Sequence, residues 1–173
     1  MAYKVLNNIG LIDTSTNALT SLKTGLLVII VNKDTNKDSA FKDLNKVSKS
    51  YISKTITSHL KDSGSSILLP KIDGIEAENI MLVKGLDANA PMHKWISSYQ
   101  AIAKKANSIN AKDLSIMSGA ISPSGKDELW LIEMIAKTVE SNVYIFSETK
   151  TKLQRSQVLK NLLSLQLGLK EPI

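Results

Sequence analysis

The feature that most constrains the fold is an uninterrupted run of apolar residues, Leu26–Val31, which Gly25 introduces. Because the run has no polar residue on either face, a strand formed from it has to be covered by other elements on both faces. It is also far shorter than the roughly 20 apolar residues that a membrane-spanning helix requires. The sequence therefore predicts a central strand in a sheet that lies between layers of helices.

Three segments place apolar residues every three or four positions, which is the spacing of an amphipathic helix. The first extends from Ala40 to Leu60, and we allow for a break near Ser48–Ser50. The stripe of the second consists of Met92, Trp95, Ile96, Tyr99, Ile102, Ala103 and Ala106. The stripe of the third consists of Leu129, Ile132, Ile135, Val139, Val143 and Phe146, so we expect this helix to extend to about Glu148.

Short apolar segments bounded by turn residues predict further strands. They are Ser66–Pro70, Asn79–Val83, Leu114–Met117 and, near the end of the sequence, Leu159–Leu169. Residues 3–6 and 9–12 are predicted to form one edge strand or a hairpin, and residues 13–24 a loop. Since helices and strands alternate, the predicted fold class is α/β, a three-layer domain with a mixed central sheet flanked by helices.

The ends of the predicted helices carry recognisable capping residues. Gly64 is a candidate C-cap for the first helix, and Asp73-Gly74 marks a turn between two strands. We expect Asp87 or Asn89 to cap the second helix, with Pro91 near its first turn. Ser124, three residues before Asp127, resembles a capping box at the start of the third helix.

The net charge of +6 raises the question of a nucleic-acid partner. Of 22 basic residues only Arg155 is arginine, the usual donor of paired phosphate and guanine contacts. The local basic clusters, Lys104-Lys105 and Lys150/Lys152/Arg155, have no aromatic residues interleaved as in single-strand binders. We therefore favour a solvated surface over a nucleic-acid site, and attribute part of the lysine content to an AT-rich coding sequence.

The residues that could carry chemistry are few. The absence of cysteine excludes thiolate catalysis and Cys-based zinc sites. Two histidines are present: we expect His59 to be partly buried and hydrogen-bonded, and His93 to be neutral and exposed. Gly85 occupies the position of a phosphate-binding loop, but it is followed by Leu86-Asp87-Ala88 with no second glycine. A plain strand-to-helix turn is therefore the favoured interpretation of Gly85.

The remaining polar and aromatic groups also favour structural roles. Gly119–Gly125 lacks the spacing of a nucleophile elbow, so we interpret Ser124 as a helix cap. Asp34 and Asp38 are expected on a solvated face, and Asp127 and Glu128 at the positive end of a helix dipole. Three aromatic residues follow helical spacing and are predicted to lie in the core: Trp95, Tyr99 and Trp130. We assign no catalytic, cofactor-binding or metal-binding residue.

Five segments, in order, carry a resemblance to a known family. They are Leu26–Val31, Asp43-Leu44-Asn45-Lys46 with Tyr51-Ile52, Lys61–Pro70, Asn79–Leu86 and Tyr144–Lys152, the last with the pattern Tyr-x-Phe-x-x-x-Lys. Over residues 25 to about 167 the sequence resembles the N-terminal domain of the leucyl aminopeptidase (cytosol aminopeptidase) family. It departs from the family pattern at Leu86-Asp87-Ala88, where a glycine and a lysine are usual, and at Ser50, where a glycine is usual.

The resemblance implies a macro-domain-like fold for residues 1–169, with residues 170–173 beginning a linker to a missing C-terminal catalytic domain. That domain would hold two divalent metals, zinc or manganese, and hydrolyse the N-terminal peptide bond of peptides. The resemblance also implies a cytoplasmic, hexameric parent enzyme in which this part is non-catalytic and serves assembly and packing. Two alternatives remain open: a macro-like module that binds ADP-ribose or a nucleotide, and an accessory domain that contacts DNA.

Overall fold

The computed structural model describes residues 10–11, 19–117 and 122–143. Its five strands are β1 (Gly10–Leu11), β2 (Leu26–Val31), β3 (Ser66–Pro70), β4 (Asn79–Lys84) and β5 (Leu114–Met117). Its four α-helices are α1 (Ser39–Val47), α2 (Tyr51–His59), α3 (Met92–Ser108) and α4 (Glu128–Val143). Single turns of 3-10 helix occupy Leu19–Ser21 and Thr35–Lys37.

The strands form one mixed sheet in the order β1-β5-β2-β4-β3. β2 lies at the centre and runs parallel to both neighbours, with Val28 opposite Met81 of β4 and Ile116 of β5. β1 is parallel to β5, whereas β3 is antiparallel to β4 and lies at the other end of the described sheet. The predicted strands over residues 26–31, 66–70, 79–83 and 114–117 are therefore confirmed.

The side chains of β2 pack alternately into two apolar clusters, one on each face of the sheet. Leu26 and Val28 pack with α3 and α4, whereas Leu27 and Ile29 pack with α1 and with Leu60, the residue that follows α2. Each fully buried Leu, Ile or Val contributes about 1.5–3 kcal/mol through removal of apolar surface from water. The continuous apolar run is therefore explained by helices on both faces, and the predicted three-layer α/β class is confirmed.

The predicted break in the first helical segment is also confirmed. α1 begins at its N-cap Asp38, whose Oδ1 accepts hydrogen bonds from the backbone N–H groups of Ala40 and Phe41 at 2.8 and 3.2 Å. Between α1 and α2 the chain turns through Lys49 and Ser50, both in the left-handed conformation with φ of 51° and 64°. Glycine, which the family resemblance leads us to expect at position 50, adopts this conformation without steric cost.

Gly64 does not cap the helix that precedes it. α2 ends at His59, and Leu60 is its C-cap. Gly64 does adopt a positive φ of 80°, but in the turn that leads into β3, where its N–H donates to the carbonyl of Lys84 at 3.0 Å. The predicted turn at Asp73-Gly74 is confirmed, with φ of 81° at Gly74.

The predicted caps of α3 are wrong. Its N-cap is Pro91, which makes no side-chain capping bond. The Asp87 carboxylate instead accepts the N–H of Asn89 at 2.9 Å and so closes a turn before the helix. The core-facing stripe is otherwise observed, but Met92 and Ile96 are 37% and 36% exposed. These two residues lie at the margin of the stripe, on the solvent side of the first two turns.

The predicted capping role of Ser124 is wrong as well. Asp127 caps α4, because its Oδ1 accepts the N–H of Trp130 at 2.8 Å. Ser124 is exposed, and its backbone N–H donates to the carbonyl of Ala88 at 2.7 Å. Several predictions lie outside the described residues: the part of the first strand or hairpin before residue 10, the extension of α4 to residue 148, the strand at 159–169 and the linker at 170–173.

Within the described residues, no helix combines the length and apolar character needed to cross a membrane.

We expect Ser50→Gly to raise the free energy of unfolding by about 0.5–1 kcal/mol, because glycine adopts a left-handed φ without a Cβ clash. Urea unfolding monitored by circular dichroism measures the change. The matched control is Ser58→Gly, an exposed serine in the last turn of α2, which should lower the free energy of unfolding by about 0.5 kcal/mol. Equal losses in both variants would show that the left-handed turn carries no strain.

Candidate functional site

In open parallel sheets, ligands bind beyond the carboxyl ends of the strands, where neighbouring connections leave on opposite faces. β2 and β4 meet this condition here. The connection from β2 leads to α1 on one face, whereas the connection from β4 leads to α3 on the other. A ligand-binding site is therefore expected at the carboxyl ends of β2 and β4.

The chain's own groups fill this position. The N–H of Gly85, directly after β4, donates to the carbonyl of Val31 at 2.8 Å, and a Cβ on Gly85 would lie 3.1 Å from that oxygen. On the β2 side, the Thr35 hydroxyl accepts the N–H of Asn32 at 2.8 Å. Gly85 thus allows two backbone segments to approach closely, and its amide is not available to a phosphate.

A polar cluster lies at the opposite, amino-terminal end of the parallel strands. The Asp113 carboxylate accepts hydrogen bonds from the N–H of Gly25 and from the Thr24 hydroxyl, the latter at 3.2 Å. The hydroxyl of Ser115, which is fully buried, donates to the Thr24 hydroxyl at 3.2 Å. The Asn79 side-chain amide donates to the carbonyl of Gly25 at 3.2 Å.

This cluster joins β2, β4 and β5 and does not contain the parts of a nucleophilic site. A serine nucleophile needs a base that takes its proton, whereas the Ser115 hydroxyl donates to another hydroxyl. Gly25 is packed so closely that an added Cβ would lie 2.9 Å from the backbone nitrogen of Lys112. The arrangement therefore acts as a structural tie between strands.

Both histidines lie on the surface. His93 is exposed, as predicted. The prediction that His59 is partly buried is wrong, because α2 turns its last residue outward and buries Ile52 and Thr55 instead. Across residues 10–11, 19–117 and 122–143, no group of three or more His, Cys, Asp or Glu side chains could hold a metal ion.

Three of the acidic residues considered from the sequence have definite roles in the structure. Asp34 is exposed and forms an ion pair with Lys37 at 2.7 Å; the hydrogen bond from Lys37 holds the pKa of Asp34 below its usual value. Asp38 does not lie on a merely solvated face, since it caps α1. Asp127 caps α4, which agrees with its predicted position at the positive end of that helix.

The aromatic residues are used in packing. Trp95 and Tyr99 are 4% and 2% exposed, and burial raises the pKa of the Tyr99 hydroxyl. Trp130 is half-buried against the same cluster, and the Lys126 ammonium lies 5.2 Å from its ring centroid. No aromatic face among these three is presented as a platform for bases.

Of the two basic clusters, one lies within the described part of the chain. Lys104 and Lys105 are exposed on α3, and neither forms an ion pair with another described residue. The second cluster, at residues 150, 152 and 155, lies outside the described part of the chain. Exposed lysines of this kind are consistent with the solvated surface favoured from the sequence.

An open depression of about 330 Å³ lies on the outer surface of α2, lined by Ser53, Lys54, Thr57 and Ser58. The three hydroxyl groups donate to backbone carbonyls of the preceding turn, at 2.9–3.1 Å. The hydroxyl protons are therefore already engaged, and no base lines the depression. It does not have the features of a catalytic pocket.

Asp113 and Asp38 are the residues whose roles were missed from the sequence. Asp38 could have been found, since Asp followed by Ser39-Ala40-Phe41 has the order of an N-cap and a first apolar turn. Asp113 has no local signal, because its partners Thr24 and Gly25 lie far away in sequence and meet it only through strand pairing.

A model of the cytosol aminopeptidase family, N-terminal domain, matches residues 27–153, which is more than half of the chain. The chain therefore belongs to this family, and the resemblance inferred from the sequence is confirmed. No curated protein sequence matches the chain significantly.

Among solved structures, a mutant of tomato leucine aminopeptidase has a similar fold, with a TM-score of 0.65 at 21% sequence identity. The similarity covers 93% of this chain and 32% of the tomato chain. The chain thus spans about a third of the length of that relative. At this identity the likeness establishes the fold alone.

We expect Asp113→Ala to lower the free energy of unfolding by about 2 kcal/mol, because it leaves two donors in the strand tie without their acceptor. Asp113→Asn retains an oxygen acceptor and should cost about 1 kcal/mol. Urea unfolding of both variants beside Asp43→Ala, which removes an exposed carboxylate on α1, provides the measurement. A loss for Asp113→Ala no larger than that for Asp43→Ala would contradict the role of the tie.

Proposed function

We propose that this chain is the non-catalytic N-terminal domain of a leucyl-type metallo-aminopeptidase, which packs on a catalytic domain and contributes to assembly of the enzyme. The observation that carries the proposal is the family match over residues 27–153. The tomato relative supports it, since about two-thirds of that chain lies beyond the matching part.

The geometry of the described residues supports a non-catalytic role. The carboxyl ends of β2 and β4 are joined by the Gly85–Val31 hydrogen bond. The polar cluster around Asp113 is used to hold strands together. In this part of the chain we find no side chains arranged to hold the two divalent metals, zinc or manganese, that the resemblance implies. Those metals are accordingly assigned to the catalytic domain, and no chemical step is attributed to the residues described.

The proposal includes a domain organisation: residues 1–169 form one N-terminal domain, and residues 170–173 begin a linker. The following domain would hydrolyse the N-terminal peptide bond of peptide substrates, as the family resemblance implies. A hexameric assembly in the cytoplasm belongs to the same proposal.

The two alternatives have less support. A module for ADP-ribose or a nucleotide needs backbone amides directed at phosphates, and the Gly85 amide is already donated to Val31. A DNA-contacting domain would rely on arginine or on paired contacts to bases, whereas the basic residues described here are lysines. Neither alternative is favoured.

The 173-residue chain incubated with leucine-p-nitroanilide and Mn²⁺ or Zn²⁺ should release no nitroaniline above a metal-only blank. The physical reason is the lack of a metal-ligand cluster and of an activated nucleophile among the described residues. Tomato leucine aminopeptidase assayed in parallel serves as the positive control. Chelator-sensitive turnover by the 173-residue chain would overturn the non-catalytic role.

The assembly role is tested on the product of the complete reading frame beyond codon 173. We expect that product to form a large oligomer, and a version lacking residues 1–169 to form a smaller one, because the truncation removes a packing partner. Sedimentation velocity of both proteins measures the difference. If the reading frame ends at codon 173, or if both products assemble equally, this part of the proposal is wrong.

A further inference from the structure

α2 buries a smaller share of its residues than α1 or α3 does. Of its nine residues only Lys54 is a strong helix former, and β-branched or hydroxyl-bearing residues dominate the rest. Two of the nine, Ile52 and Thr55, are buried, whereas the seventeen-residue α3 buries five. Opening of the segment defined by residues 49–60 would therefore expose little buried surface.

The start of α2 is strained and poorly capped. Lys49 and Ser50 occupy consecutive left-handed positions, which cost roughly 1–2 kcal/mol per non-glycine residue. Ser50 is the N-cap but makes no side-chain capping bond, and the first turn contains no acidic residue. By contrast, Asp38 caps α1 and Asp127 caps α4.

The hydroxyl groups within α2 bond back to its own carbonyls. The hydroxyls of Thr55, Thr57 and Ser58 donate to carbonyls four residues earlier, at 2.9–3.0 Å. Bonds of this type compete for helix carbonyls and slightly destabilise helices. They add nothing that connects α2 to the rest of the domain.

One residue of α1 provides the main polar connection. The side-chain Oδ1 of Asn45 accepts the N–H of Ser53 at 3.0 Å, and the backbone carbonyl of Asn45 accepts the N–H of Ser50 at 2.8 Å. On the apolar side, Ile52 and Leu60 pack into the cluster that also contains Phe41 and Leu44. Few contacts therefore have to break for α2 to leave this surface.

We propose that residues 49–60 open locally from the folded domain, turning about the left-handed pair at Lys49 and Ser50, while the sheet, α3 and α4 remain folded. The opening uncovers part of the apolar cluster into which Ile52 and Leu60 pack. Local opening of this kind is expected where few buried contacts hold an element. The proposal does not depend on the function proposed above.

Native-state hydrogen exchange followed by NMR on the 173-residue chain tests the opening. The reporting amides are those of Lys54 and Leu60, which donate to the carbonyls of Ser50 and Ile56. After correction for intrinsic rates, we expect them to exchange at least about tenfold faster than amides of Ile102 and Ala106 in α3. Their exchange should also depend weakly on low urea concentrations, because a local opening exposes little surface.

Two sets of variants separate a local opening from unfolding of the whole domain. Thr57→Ala combined with Ser58→Ala removes two back-bonded hydroxyls and should slow exchange of the α2 amides about fivefold. Asp113→Ala weakens the strand tie, which stays formed when only α2 opens. It should accelerate exchange of the β2, β5 and α3 amides about thirtyfold and leave the α2 amides within twofold of their original rates.

Asp113→Asn replaces Asp113→Ala if the latter does not fold, with an expected acceleration of about fivefold in the same strands and helix. If either Asp113 variant accelerates the α2 amides by the same factor as the strand amides, α2 opens only with the whole domain and the proposal is wrong. Equal exchange rates in α2 and α3 of the unmodified chain would overturn it as well.

Discussion

The domain depends on burial of β2 between two neighbouring strands and two layers of helices. Leu26–Val31 pairs with β4 on one side and β5 on the other, and its alternate side chains fill both apolar clusters. β4 and β5 also pair with two strands and contribute to both clusters, but β2 lies between them at the centre of the described sheet. A polar side chain within this run would face an apolar layer whichever way it pointed, at a cost of about 1–3 kcal/mol or more.

Much of the architecture could be predicted because hydrophobic spacing is a local property. Apolar spacing in the sequence alone predicts which residues are buried in three segments: 26–31, 114–117 and the stripe from Trp95 to Ala106. The ends of helices were less predictable, because several polar residues compete for each end. Asp127 rather than Ser124 caps α4. The backbone N–H of Ser124 instead donates to the carbonyl of Ala88, which holds this residue away from the start of the helix. The tie at Asp113 could not be predicted, because strand pairing alone brings its partners together.

The family match and the local geometry both support the function proposed above. The family match assigns residues 27–153 to the N-terminal domain of cytosol aminopeptidases. The hydrogen bonds of the described residues give structural roles to several groups that the sequence analysis considered: Gly85 joins two strands, and Asp38 and Asp127 cap helices. The candidate site is therefore best understood as part of a scaffold.

The order of the strands also has a consequence for biosynthesis. Among the described strands, the antiparallel neighbours β3 and β4 are close in sequence, whereas β2 pairs with β4 after one long connection and with β5 after a longer one. Nonlocal parallel pairings of this kind form slowly, because the entropy of closing the loops is lost before the contacts are gained. On the ribosome, one edge of β2 consequently stays without its partner until Leu114–Met117 has been made. During that interval this entirely apolar strand is open to pairing with other nascent chains.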